Sequence, residues 1–573
     1  MIVERDAKNV HLESREFKCE SIQKPSSDRI VLLFAGQMAW RGLEVLAEYT
    51  LPENAWYVRK SIQVKNLEGS PIRIKDMVVD RIFWPDSDSL AEPDNPLFLE
   101  NQIFWGMEWP IADPVVDSKG FAFKHYPDFL IKSGESWTSK TMSFGVSEHG
   151  RIAEAFGRYI LRIRANRVDF TTLYFDWLCH DNSGPLESEI LANFSVLKKM
   201  KELYGLQFDI YNSDAGLVES LGTYFPQYKP IFDKRFPNGL QTIAEASADL
   251  GMKLGLWIGP DGFGDTPEEM EARKQQLVSW VRDYNVGLFK LDTVVSSISH
   301  ENKYILEKKY QALADALSEI RVIRPDFVAI NHRVNNSPYM LTMTDCILWK
   351  GEETYIDVHI ANQDAWLFNR VCSVRRNLST TFYDVPFRLF EDHGICFNSS
   401  VERWADDFVV QAFGRASVIS PEMYGTFFFL KDDDYPRLAR LIQLHKQSHE
   451  ILKTSFLLED GDIAHSSGTS AMLVLRNMTW EKIEKFVFLD NRIGLSIQKG
   501  TPLILRQRYP YERHLSRNGE YFKAGETVRM TLEPFEVKLI HVDSQGTDDP
   551  YIQGIGYEII PRPDEKKFDV LLL

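Results

Sequence analysis

Cysteine is scarce in this chain: Cys19, Cys179, Cys346, Cys372 and Cys396 are the only five in 573 residues, and none are spaced as C-x-x-C. An odd, scattered set argues against a disulfide framework and a cysteine-ligated zinc site, and suits a reducing compartment. Long apolar runs are also missing. No stretch approaches the ~20 residues of a membrane-spanning helix, and the opening MIVERDAKNVHLESREFK has no apolar segment of the secretion-signal kind. A cytoplasmic location without a membrane partner is the expectation. No G-x-G-x-x-G follows an extended stretch, so dinucleotide binding has no support. Positive charge is in deficit, with 66 Lys and Arg against 82 Asp and Glu, a net −16. Such a surface repels phosphate backbones and anionic lipid, which argues against nucleic acid. His359 and His393 stand without a second ligand at useful spacing, so neither metal nor cofactor is expected.

What remains is an ordinary globular balance, 44% hydrophobic and 26% charged, with 12% aromatics including 13 Trp. Residues 1–160 read as a β-sandwich domain. Arg29–Gly36, Trp56–Asn66 and Ile72–Trp84 are short, rich in β-branched or aromatic residues and separated by turn signals. Trp105 and Trp109 are assigned to its core, although FWGMEWP could also form an insertion over a neighbouring domain. From residue 165 to 452 short apolar runs alternate with amphipathic ones. Thr171–Leu178, Leu206–Asn212, Met252–Gly259, Val286–Val295, Phe327–Asn331 and Asp345–Trp349 are extended. Glu187–Tyr204, Gly239–Gly251, Pro267–Tyr284 and Tyr304–Arg321 are helical, and Thr380–Phe387, Phe408–Ser420 and Asp434–Leu452 close the series. About eight such units in this length fit an α/β fold with a central (β/α)8 TIM barrel. Residues 455–573 return to β alternation and form a C-terminal antiparallel domain, read as a second β-sandwich.

A barrel carries its site at the C-terminal ends of its strands. Those ends are Asp176-Trp177, Asn212-Ser213-Asp214, Trp257-Ile258-Gly259-Pro260-Asp261, Lys290-Leu291-Asp292, Asn331-His332-Arg333 and Trp349-Lys350-Gly351-Glu352-Glu353. Six successive polar ends, rich in carboxylates and Trp, look like a ligand-lined mouth. In VGLFKLDTVV, Lys290 and Asp292 are two apart and share one face of a strand. Carboxylates on separate strands fit retaining glycoside hydrolysis, which needs an ionised nucleophile and a protonated acid about 5–5.5 Å apart. A cation beside the nucleophile keeps it ionised, and Lys290 is placed to do so. Lys290 as a Schiff-base amine fits less well, because Asp292 would raise its pKa.

The run Phe236-PNGLQTIAEASADLGMKLGLWIGPD261 is similar to the FPNGL…LGMKFGLW segment of the α-galactosidases of glycoside hydrolase family 36, and KLD resembles their K-x-D motif. The resemblance implies that Asp292 is the nucleophile and that an acid/base follows by about sixty residues. Here 352 − 292 = 60 selects Glu352, with Glu353 and Asp357 as rivals. It also implies a β-domain on each side of the barrel. Substrate contacts are expected from Lys290, Asp176, Trp177, Asp214, Trp257, Asn331 and Trp349. The pattern departs at the second strand, where Tyr211-Asn-Ser-Asp-Ala215 replaces Asp-Asp-Gly-Trp, and at the fifth, where Asn331-His-Arg-Val-Asn-Asn336 replaces a glycine-rich turn. The expected activity is a retaining exo-acting α-glycosidase, α-galactosidase-like, acting on an oligosaccharide or glycoside. An α-N-acetylgalactosaminidase, a transglycosylase and a non-catalytic carbohydrate-binding barrel are the alternatives. A homo-oligomer is compatible with all of them.

Overall fold

The computed structural model describes residues 1–5, 8–83, 94–117, 120–164, 169–180, 184–217, 229–292, 302–348, 367–368, 370–372, 374, 385–391, 394–458, 461–515, 520–544 and 551–573. Its order is antiparallel sheet, parallel sheet with helices, then antiparallel sheet again. Among the described residues no helix is long and apolar enough to cross a membrane.

Residues 2–146 build two antiparallel sheets, centred on Ile72–Ile82 in one and on Leu43–Thr50 and Tyr57–Asn66 in the other. On the central strand Ile72, Ile74, Met77 and Val79 are buried and Arg73, Lys75 and Val78 half-buried, close to the period-2 pattern of a half-buried sheet, whereas Phe104, Trp105 and Phe123 lie on strands buried almost throughout. A helix, Ile152–Ile163, then enters the stretch read as wholly β. Phe156, Tyr159 and Ile160 recur at helical spacing and are buried against Phe104 and Tyr339. At FWGMEWP, Ile103–Met107 is a sheet strand, and Trp109 donates from Nε1 to Glu307 in the first turns of the helix Lys303–Ile323 at 3.1 Å. The Lys140 ammonium caps the Trp109 ring at 3.5 Å.

Among the described residues nine short strands form the parallel sheet: β1 (Leu173–Phe175), β2 (Ile210–Ser213), β3 (Lys253–Ile258), β4 (Val286–Leu291), β5 (Val328–Asn331), β6 (Cys346–Leu348), β7 (Phe390–Glu391), β8 (Ile395–Cys396) and β9 (Glu422–Tyr424). Helices Glu187–Tyr204, Gln241–Asp249, Pro267–Asp283 and Lys303–Ile323 lie between successive strands from β1 to β5. Thr266 starts the third of these with a capping box to Glu269 and Pro267 in the first turn. β3 and β4 are buried almost throughout, which is why they read as continuous apolar runs.

The sheet order is β7-β6-β5-β4-β3-β2-β1-β9-β8, every neighbour parallel. Its two edge strands, β7 and β8, are consecutive in the chain, with Glu391 and Ile395 four positions apart. Four Cα steps span at most about 15 Å, so the sheet is curled until its edges nearly meet. Gly394 sits at that seam with φ +84°, and a Cβ there would stand 2.7 Å from the Glu422 carbonyl oxygen. Only glycine fits. The structure differs here from the expected closing segments. Phe387–Leu389 is a 3-10 turn, with 380–384 outside the described residues, and Phe408 ends a helix that continues as a π-helix over Val409–Arg415. Buried on all sides, that helix has the same apolar text as a buried strand.

Residues 455–543 form a second antiparallel region. Ser470–Arg476, Val537–Asp543 and Pro502–Tyr509 pair at the centre of its main sheet, and Ile483–Phe488 pairs with Thr527–Leu532. A hairpin, Tyr557–Arg562 and Lys567–Leu572, lies against helices Glu187–Tyr204 and Asp434–Gln447, tied by Arg437 to Glu558 at 2.8 Å. His465 is wholly buried where this region meets the π-helix. Its Nε2–H donates to the Gly414 carbonyl at 3.1 Å, and Nδ1 accepts from Ser455 Oγ at 2.7 Å. Burial pushes the imidazole down to about 4 from 6.5. The unfolded chain therefore takes up a proton near pH 6.5 that the folded chain refuses until about pH 4. Stability is complete above the upper value and declines as pH falls through the window, by on the order of 3 kcal/mol. Thermal melts at pH 7.5 and 4.5 should show this loss, and His465→Gln should flatten the difference between them.

Candidate active site

Pairing register decides which side chains share a face of the parallel sheet. Asn212 pairs with Gly255, Trp257 with Lys290, Lys290 with Ile330, Leu348 with Glu391 and Phe175 with Tyr424. Parallel partners in register point the same way. Asn212, Asp214, Trp257, Lys290 and Glu391 therefore stand towards one side near the C-terminal ends of their strands. Gly255 leaves room for Asn212: a Cβ at Gly255 would lie 2.7 Å from Asn212 Oδ1.

Lys290 is the electrostatic centre of this face. Its Nζ donates to Asp214 Oδ2 at 2.9 Å and lies 4.3 Å from the Phe175 ring centroid, with both charged side chains over 95% buried. Burial alone would push the ammonium's pKa down. The carboxylates of Asp214, Glu391 and Glu422 outweigh it, and the pKa is raised. Lys290 is thus a fixed cation surrounded by acids from three other parts of the sheet. Burial holds the Cys346 thiol well above its usual range, and Glu391, Glu422 and Asp345 add to the shift while the fully buried Arg415 opposes it.

Asp292 follows β4 directly, and its backbone N–H extends the ladder to the Ile258 carbonyl at 2.9 Å. Trp257 Nε1 donates to Asp292 Oδ2 at 3.2 Å. The indole is almost completely buried, so it fixes the carboxylate from one side. The Lys290 ammonium reaches the turn after the second strand, while the tryptophan of the third strand reaches Asp292.

Asp176 lies deep rather than at a rim. Oδ2 accepts from Tyr211 Oη at 3.2 Å and Ser213 Oγ at 3.1 Å, and Oδ1 accepts from the Asp214 backbone N–H at 2.7 Å. It bolts the end of β1 to the turn after β2 and so presents Asp214 to Lys290. Trp177 is half-buried against the core. Asn331 Nδ2 donates to the Asn335 carbonyl at 2.6 Å, which folds the turn after β5 back on itself. His332 Nδ1 meets Glu391 Oε2 at 2.9 Å, both side chains buried. Trp349, Glu352, Glu353 and Asp357 lie outside the described residues. Glu391, Glu422 and Arg415 carried no local signal in the sequence. Among the described residues no three His, Cys, Asp or Glu side chains converge as a metal-binding set.

No family model matches this sequence, and no curated protein does. Solved structures do. The fold is similar to that of a variant of the GH36 α-galactosidase AgaA from Geobacillus stearothermophilus in complex with raffinose, at TM-score 0.55 and 13% identity, over 95% of this chain and 89% of that one. The α-galactosidase from Lactobacillus brevis aligns at TM-score 0.57 and 11% identity, over 96% of this chain and 88% of that one. The galactosidase domain of the α-galactosidase-sucrose kinase AgaSK aligns at TM-score 0.58 and 13% identity, over 94% and 85%. The likeness is one of fold.

Removing one partner of a buried ion pair leaves an uncompensated charge and costs about 3–5 kcal/mol, whereas apolar replacement of both costs far less. Asp214→Ala should lower the melting temperature sharply, and Lys290→Met/Asp214→Leu should lower it less than Asp214→Ala does. Calorimetry reads both. An unchanged melting temperature in Asp214→Ala would contradict the pairing.

Proposed function

We propose that the parallel sheet closes as a (β/α)8 barrel, with β7 and β8 as two halves of one seventh strand, and that this barrel is a retaining, exo-acting α-glycosidase of the α-galactosidase type. It spans residues 165–452, between β-domains at 1–160 and 455–573. The observation that carries the reading is the carboxylate at the end of β4, held at 3.2 Å by the indole of Trp257 and placed two residues after a buried, charged lysine. Barrel interiors are ordinarily packed with branched apolar side chains. Burying Lys290, Asp214, Glu391, Glu422 and Arg415 in one costs stability that a structural role alone does not require. The fold likeness to α-galactosidases over about 95% of the chain supports the same reading, as does the crystallisation of those neighbours with raffinose and stachyose.

Asp292 attacks the anomeric carbon of a terminal α-linked sugar. The bond to the departing oxygen breaks as Glu352 delivers its proton there, and a glycosyl-aspartate forms. Glu352, now ionised, takes a proton from water, whose oxygen displaces Asp292 and restores the starting configuration. The hydrogen bond from Trp257 holds the Asp292 carboxylate in place before attack. Lys290 and Asp214 form the floor against which the sugar hydroxyls pack, and Trp349, Trp177 and Asn331 complete the contacts. No step requires a cofactor.

One observation favours a second reading. Asp176 and Asp214, both expected to touch sugar, are engaged with protein donors at 2.7–3.2 Å. A site whose acids are already satisfied by protein donors could bind sugar without turning it over. Aryl α-galactosides, α-glucosides and α-N-acetylgalactosaminides, with the product anomer followed by NMR, separate the readings. An enzyme releases the α-anomer first, while a binding barrel gives saturable binding and no phenol. Asp292→Ala should abolish turnover. Glu352→Gln should lose about 10²–10⁴-fold on natural glycosides and far less on aryl glycosides with acidic leaving groups. Equal losses on both would contradict Glu352 as the acid.

A further inference from the structure

Ile330 pairs with Lys290 and Asn331 with Leu291, and the His332 backbone N–H bonds to the Leu291 carbonyl at 2.8 Å. The next step of that register sets His332 beside Asp292. On its other side, His332 Nδ1 lies 2.9 Å from Glu391 Oε2, an acid brought from β7, two strands away. Glu391 is 0% exposed and His332 2%. With Glu391 ionised its carboxylate only accepts, which assigns the hydrogen to Nδ1 and in the neutral ring leaves Nε2 as an acceptor. Without Glu391 the imidazole could exchange tautomers and turn about its Cβ–Cγ bond.

We propose that Glu391 is a positioning residue that locks the ring and tautomer of His332 beside Asp292, so that the imidazole meets the sugar as an acceptor. The proposal rests on the α-glycosidase reading of the same barrel. It also explains why an acid is buried on a two-residue strand at the seam, where an apolar residue would pack more cheaply. Orienting carboxylates of this kind typically control activity by 10–100-fold.

The full-length protein, labelled with ¹⁵N-histidine, reports the tautomer directly, with His332→Gln identifying the resonance. Wild type should show the Nδ1–H form, and Glu391→Leu should shift it to a mixture or to Nε2–H. With an aryl α-galactoside, Glu391→Leu should lower kcat about 10–100-fold and leave KM within about twofold. Glu391→Gln is the same size, and its amide oxygen can still accept from Nδ1–H, so it should recover most of the loss. Glu391→Leu/His332→Ala should be no slower than His332→Ala. An Nε2–H tautomer in wild type, losses that multiply in the double variant, or a lower melting temperature with kcat unchanged would each overturn the proposal. If wild type turns over no glycoside, the α-glycosidase reading fails, and the tautomer still decides whether Glu391 holds His332.

Discussion

One ammonium organises this molecule's interior. Lys290 is buried on the fourth strand of a parallel sheet, where solvent cannot stabilise its charge, so protein carboxylates must. Asp214 provides the direct partner, and Asp214 holds its position because Asp176 grips its backbone N–H from the end of the first strand. Glu391 and Glu422 add charge from the far side of the curl. Each of these acids would be costly alone. Together they offset the lysine's charge and it offsets theirs, so the cluster is stable only as a unit. Trp257 pairs with Lys290 across the sheet, and Asp292 follows the lysine by two residues within reach of that indole.

The same cluster depends on how the sheet ends. Bringing Glu391 and Glu422 near Lys290 requires β7 and β9 to lie across from β4, which requires the two edges of the sheet to approach. Gly394 permits that approach by lying against the Glu422 backbone where no side chain fits. The buried pair of Arg370 and Asp407, at 2.8 Å, reinforces the seam, because Arg370 also donates to the Gly394 carbonyl. Closure and charge burial are therefore coupled: losing the seam would separate the acids from the cation they balance.

Periodic segments were legible in the sequence. Glu187–Tyr204 and Arg29–Gly36 match their expected bounds, and Pro267–Asp283 and Val286–Leu291 lie within theirs, because alternation and capping act locally. β7, β8 and β9 were not legible. Two or three residues cannot display a period, and they are strands only because neighbours pair with them. The site divides in the same way. Lys290, Asp292, Asp214 and Trp257 end long apolar runs, which marks them as strand-end groups. Glu391, Glu422 and Arg415 enter through closure of the sheet, and no local pattern announces a contact made that way. Asp176 was misleading for a related reason: its position at a strand end suggested a rim, while its hydrogen bonds to Tyr211 and Ser213 place it in the wall.

The central claim is that Asp292 becomes covalently bonded to the sugar. Incubation with a fluorinated α-galactosyl fluoride, which forms the glycosyl-enzyme quickly and releases it slowly, followed by proteolysis and peptide mass spectrometry, tests it directly. The account predicts one added glycosyl group on the peptide containing Val286–Asp292, carried by Asp292. Labelling of another carboxylate, with Asp292 unmodified in a protein that turns over the substrate, would contradict it.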